Sequence, residues 1–262
     1  MRYGVQNSII LTIWWYMRKY NGSILWRGAS LIDGAPIVVI AVGLATASSN
    51  SKTGAMLQTY ILRSDISPVD AVRSGKDASI CGDCIHRGDG TGKGRTCYVQ
   101  MQNAPTGVYK AFLHGSYPAV ESIAEIGSRR IVRLGTYGDP AAVPAWVWES
   151  LVSDSLAYTG YTHQWRVRPQ LKHLCMASAD SLEAAKAAQA DGWRTFRVAL
   201  PSHVVRTANE SICPASAEAG RKLTCADCKA CGGANGRKGS IVIQAHGGTA
   251  VMANVARLSI AA

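Results

Sequence analysis

The chain has 262 residues, of which 47% are hydrophobic and 17% charged, so one larger buried core fits better than several small domains. Its 28 Lys and Arg against 17 Asp and Glu give a formal charge of +11, which favours a polyanionic partner: nucleic acid first, a nucleotide second. The basic residues are scattered and form no basic arm, and the scarce acidic residues argue against a two-metal nuclease centre.

Residues 1–22 read as an N-terminal extension, with Trp14-Trp15-Tyr16 packing on the body, and residues 23–262 as a single β/α domain. Ile9–Met17 is too short to cross a bilayer and lacks the flanks of an export signal. Ala35–Ala47 is interrupted by Pro36 and Gly43 and is rich in Val and Ile, which predicts a buried strand. The reading is a cytoplasmic protein without membrane contact, and there close cysteine spacing means metal or redox chemistry before disulfides.

Ile24–Trp26, Ile37–Val42 and Met56–Leu62 are predicted strands, the last preceded by a polar turn carrying Asn50, Lys52 and Thr53. The glycine-rich run from Gly88 to Gly94 predicts a flexible loop. After Pro118 the rhythm becomes strand, loop, helix. Ile131–Leu134 predicts a strand, Ala141–Val152 a helix, and Leu156–Tyr161 and Leu174–Ala177 further strands. Asp180–Asp191 predicts a helix capped by Asp180 or Ser181 and stopped by Gly192. Trp193–Leu200 and Ser240–Ala245 complete the set. This alternation predicts an α/β fold, a parallel sheet or partial β/α (TIM-like) barrel with Cys-rich metal-binding loops, whose chemistry gathers at the strand C-termini.

Seven of the eight cysteines fall into two groups. The second group is Cys213-Pro214 followed by Cys225-x-x-Cys228-x-x-Cys231. Two-residue gaps let successive thiolates turn inward, and four thiolates suit an iron–sulfur cluster, with four-cysteine zinc as the competing reading. The first group is Cys81-x-x-Cys84-x-His86, with Cys97-Tyr98 after twelve intervening residues. Its fourth ligand is His86, Cys175 or nothing from the protein, and the last case leaves a coordination position open for substrate or cofactor. Cys175 sits in an apolar stretch and reads as a plain buried thiol.

Other candidates lie at strand ends. In Arg133-Leu-Gly135-Thr-Tyr-Gly138-Asp139-Pro140, Gly135 and Gly138 would let a ligand approach the backbone. Asp139 would bind a ribose or ammonium group, or cap the following helix. The next strand ends in Tyr158-Thr159-Gly160-Tyr161-Thr162-His163, where His163 is a candidate for proton transfer. Gln244 and His246 close the last strand and would face the same mouth.

Together, Cys97-Tyr98 after upstream cysteines, the Arg-x-Leu-Gly-x-x-Gly-Asp-Pro strand end and the Tyr-Thr-Gly-Tyr-Thr strand resemble radical SAM proteins. The similarity is to their spore photoproduct lyase-like branch and its phage-encoded cysteine-rich relatives, over residues 80–246. The Cys-x-x-x-Cys-x-x-Cys run usual in that family is not present. The resemblance implies that Cys81, Cys84 and Cys97 bind a [4Fe-4S] cluster that chelates S-adenosylmethionine and reduces it to a 5′-deoxyadenosyl radical. It further implies that Tyr98, Gly135, Gly138, Asp139 and Thr159 lie near the cofactor. His163 and Asp139 would be catalytic, and Cys213, Cys225, Cys228 and Cys231 would hold an auxiliary cluster. The expected substrate is a nucleotide or nucleic acid. The competing class is a non-catalytic zinc protein of phage or plasmid origin that binds nucleic acid.

Overall fold

The computed structural model describes residues 20–201, 204, 206–234, 239–248 and 251–256. The Trp14-Trp15-Tyr16 segment lies outside them.

Strand β1 (Gly22–Ala29) pairs antiparallel with β2 (Pro36–Val42), and β2 pairs antiparallel with β3 (Leu57–Arg63). Ile37 to Ala41 are at most 1% exposed, as expected for an apolar run covered on both faces. Helix α1 (Pro68–Arg73), the single turn α2 (Ala78–Cys81), α3 (Ala104–Leu113) and α4 (Ile123–Gly127) then cross to β4 (Ile131–Tyr137), which lies parallel to β3. The predicted helix at 141–152 is shorter than its apolar pattern. A 3-10 turn occupies Pro140–Ala142, Pro144 interrupts, and α5 covers Ala145–Val152.

The predicted strand at 156–161 is two strands. β5 (Ala157–Thr159) pairs with β4, and β6 (Tyr161–Thr162) pairs with β7 (Met176–Ala179) in a different sheet. Gly160 is the crossing point: a Cβ there would lie 2.9 Å from Cys175 Sγ and 3.0 Å from the Leu174 carbonyl. Helix α6 (Leu182–Ala190) leads to β8 (Thr195–Ala199), followed by β9 (Glu210–Ile212), the helical turn α7 (Cys225–Cys228) and β10 (Ser240–Gln244).

The result is α/β, with two five-stranded sheets. The first is mixed, in the order β1-β2-β3-β4-β5, and the second is all parallel, in the order β6-β7-β8-β10-β9. No closed barrel forms among the described residues. One apolar core spans both sheets, from Ile24 and Val39 to Trp148, Ala177 and Trp193. Gly22, which the sequence assigns to the extension, opens β1, and Asn21 before it receives the Gly43 and Leu44 amides.

Candidate metal centres

The first cysteine group grows out of the C-terminal end of β3. Cys81 ends α2, and Gly82 turns the chain with φ +62 where a Cβ would strike the Gln164 amide at 2.3 Å. The glycine-rich loop is not loose chain. Asp89 N–H donates to the Lys93 carbonyl, and Asp89 Oδ1 receives the Thr91 and Lys93 amides. This turn brings the strand back so that the Thr96 and Cys97 amides both donate to the His86 carbonyl, setting Cys97 beside the other two cysteines. Asp77, with its side chain 2% exposed, receives Arg87 at 2.7 Å and Arg95 at 3.3 Å, bracing both arms of the loop. Burial pushes the Cys81 thiol well up, and the neighbouring Cys84 and Cys97 push it further.

Three strand ends face this loop. The residues just past the C-termini of β4, β6 and β7 are Asp139, His163 and Asp180, the position where parallel sheets gather their chemistry. Asp139 does cap: its Oδ1 receives the Ala141 amide at 2.9 Å, while Oδ2 receives the His163 amide at 2.7 Å. The Thr162 side chain also hydrogen-bonds to this carboxyl, and through these contacts Asp139 positions His163. Ser181, not Asp180, caps α6, by accepting the Ala184 amide. Asp180 is released toward the loop, where its Oδ1 lies 3.3 Å from Nε2 of both His86 and His163. His86 Nδ1 is 2.6 Å from Thr96 Oγ1, and Cys84 Sγ is 3.7 Å from His163 Nε2. Burial raises the Asp180 carboxyl, but hydrogen bonds from the two imidazoles outweigh it and hold the group well below the usual carboxylate range. Burial lowers His163, yet Cys84 and Asp180 together hold it well above the usual imidazole value.

The second cysteine group packs on the parallel sheet. Cys213 and Cys231 are each 8% exposed and share an apolar cluster with Met176, Ile241 and Ile243. The Cys213 amide donates to Val242, and the Cys231 carbonyl receives Gly160. Turn α7 opens with a capping box between Thr224 and Asp227, and its Cys225 and Ala226 amides donate to Lys52 and Thr53. Four thiols thereby converge. Burial pushes Cys231 up to about 12; a Tyr161 hydrogen bond opposes this, and Cys213, Cys225 and Cys228 add to it.

Side chains flanking the two groups meet. Tyr98, beside Cys97 and 65% exposed, lies edge-on to His246 at 5.5 Å, and Lys52 reaches over its ring at 5.9 Å. Lys52 Nζ, from the turn that carries α7, is 3.3 Å from His246 Nε2, so both stand beside the Tyr98 ring. Thr159 is 2% exposed and its Oγ1 has no hydrogen-bond partner among the described residues; the same holds for the Tyr137 hydroxyl near Cys81. Gly135 and Gly138 are approached by the chain itself. A Cβ at Gly135 would meet the Gly138 carbonyl at 2.6 Å, and one at Gly138 would meet Ile61 at 2.7 Å. Cys175 is fully buried behind Gly160, as the apolar stretch predicts.

Comparison with family models, with curated proteins and with solved structures finds no match to this chain. The site must be read from its own chemistry. Asp180 is the residue that sequence reasoning missed, because a strand-end Asp followed by Ser serves equally as a helix cap. The signal that could have found it is its position past β7, equivalent to Asp139 and His163 past their own strands.

Proposed function

We propose that this chain is an iron–sulfur protein with two clusters and that the first is a radical SAM-like catalytic site. Cys213, Cys225, Cys228 and Cys231 would hold a closed, electron-relaying cluster. Cys81, Cys84 and Cys97 would hold a cluster with one position free for S-adenosylmethionine. The observation that carries the reading is the gathering of seven thiols into two partly buried sets whose ionised forms repel one another. Burial and mutual repulsion both disfavour thiolates, and a bound cationic centre reverses that balance.

The Cys225-x-x-Cys228-x-x-Cys231 spacing, with Cys213 upstream beside Pro214, favours a cluster over a single zinc ion.

When bound, an open cluster of this kind supplies an electron and a free iron position to its ligand. The protein's own residues would define the space around it. Asp77, Arg87 and Arg95 hold the cysteine loop, Asp139 fixes the His163 backbone, and Tyr98 offers an exposed ring for stacking against a nucleobase. Lys52 and His246 beside that ring, with the net charge of +11, suit a nucleotide or nucleic-acid substrate. The strand order supports an open β/α barrel. β3, β4 and β5 run parallel, and the chain continues through Gly160 into the parallel β6, β7, β8 and β10.

The test is S-adenosylmethionine added to anaerobic, dithionite-reduced protein, read by electron paramagnetic resonance. The reading predicts that it changes one of two cluster signals, and that Cys97→Ala abolishes the response while sparing the other signal. A spectrum indifferent to S-adenosylmethionine would remove the radical SAM assignment.

A further inference from the structure

We infer that His86, His163 and Asp180 form a mononuclear site for a divalent zinc-class ion (zinc or ferrous iron), separate from the cysteine clusters. The inference does not rest on the iron–sulfur reading. The three residues come from the turn after Cys84, the end of β6 and the end of β7, yet their ligand atoms all lie within 4.8 Å of one another. Both imidazoles present Nε2 to the same carboxylate oxygen, Oδ1, at 3.3 Å.

That distance fits a metal site as well as an ion pair. Charge-assisted N–H···O bonds settle at about 2.7–2.9 Å. Ligands bonded at about 2.0–2.1 Å to a tetrahedral ion stand about 3.4 Å apart. Two histidines at 3.3 Å from one oxygen match the edges of such a shell and are long for a pair of strong hydrogen bonds.

His86 has the surroundings of a metal-binding histidine, whose second ring nitrogen is held by an outer partner. His86 Nδ1 lies 2.6 Å from Thr96 Oγ1, which fixes its ring with Nε2 facing inward. His163 is held through its backbone by Asp139, and Gln164 beside it is tied to Asp83 at 2.5 Å. Cys84 is not a member of the set. Its sulfur is 3.7 Å from His163 Nε2 but does not lie within 4.8 Å of all three ligand atoms. With three protein ligands, the remaining position is open to water or to an oxygen of the substrate. The ion would act there as a Lewis acid beside the first cysteine group, polarising a phosphate or carbonyl oxygen.

The experiment counts divalent ions in the full-length protein, purified anaerobically, equilibrated with Zn2+ and desalted, by mass spectrometry of metals. Asp180→Asn keeps the shape and removes the charge. The wild type is expected to retain one more zinc-class ion per chain than D180N, whose zinc affinity falls at least about tenfold. Equal retention would overturn the site. Cobalt titration of the unmutated protein guards against a folding defect in the variant. Bound Co2+ with visible ligand-field bands and no thiolate charge-transfer band is expected, and thiolate charge transfer from every bound cobalt overturns the inference. Both readouts are differences at one nitrogen–oxygen site, so a protein lacking iron and sulfide would still report on it.

Discussion

At the scale of single residues, the first cysteine group depends on side chains outside the thiol set. Asp77 is the clearest: nearly fully buried, it neutralises Arg87 and Arg95, which otherwise carry charge into the interior on either side of the thiols. Removing one partner of a buried charge network costs more than the network contributes, because the others are left unpaired. Asp77→Ala should therefore lower stability by about 3 kcal/mol. On the proposed iron–sulfur reading, iron should be lost from the first group with it, while the second group's absorbance persists. Thermal unfolding with iron and sulfide analysis checks this; loss of both clusters in a folded variant would show that the two loops are not independent. The histidines and Asp180 show the limit of reading residues singly. His86 and His163 are visible in the sequence as candidates, but their convergence on Asp180 depends on three separate strand-loop exits.

At the scale of elements, strands with dense Val and Ile were legible to within about three residues, because continuous apolar runs are dictated by burial on both faces. β2, β4, β8 and β10 lie where the sequence puts them. The three-residue β9 and the single turns α2 and α7 escaped, since a segment of three or four residues carries no periodicity. α3 also went unread; it opens at Ala104-Pro105 with no side-chain cap, and Gly107 dilutes its pattern. The division of the 157–162 strand was invisible for a different reason: a sheet crossing is a tertiary event, marked only by Gly160. The cysteine groups stand out in the sequence by their spacing, which lets a loop turn its thiols inward. The partner of α7, the turn at Lys52 and Thr53, was not, being long-range in sequence. Thr224→Ala removes the cap of α7 and should cost about 1 kcal/mol. On the proposed iron–sulfur reading it should also speed iron loss from the second thiol set to a chelator, leaving the first unchanged. Unaltered chelation kinetics would mean that the cap does not hold the thiol loop.

At the scale of the whole molecule, Gly160 joins the two sheets and also binds the Cys231 carbonyl through its amide. A methyl group there would crowd Cys175 and Leu174, so Gly160→Ala should cost about 1–3 kcal/mol. On the proposed iron–sulfur reading it should perturb the spectrum of the second thiol set as well; a destabilised protein with an unchanged spectrum would uncouple the junction from that set. The two thiol sets, the His/Asp group and the Tyr98 mouth all lie on loops supported by this junction and by the parallel strand ends. The central claim is that the thiols bind iron and sulfide. Chemical analysis of protein purified without oxygen tests it most directly. Two [4Fe-4S] clusters predict a brown protein with about eight irons and about eight sulfides per chain. A colourless protein that holds zinc and no acid-labile sulfide would contradict it.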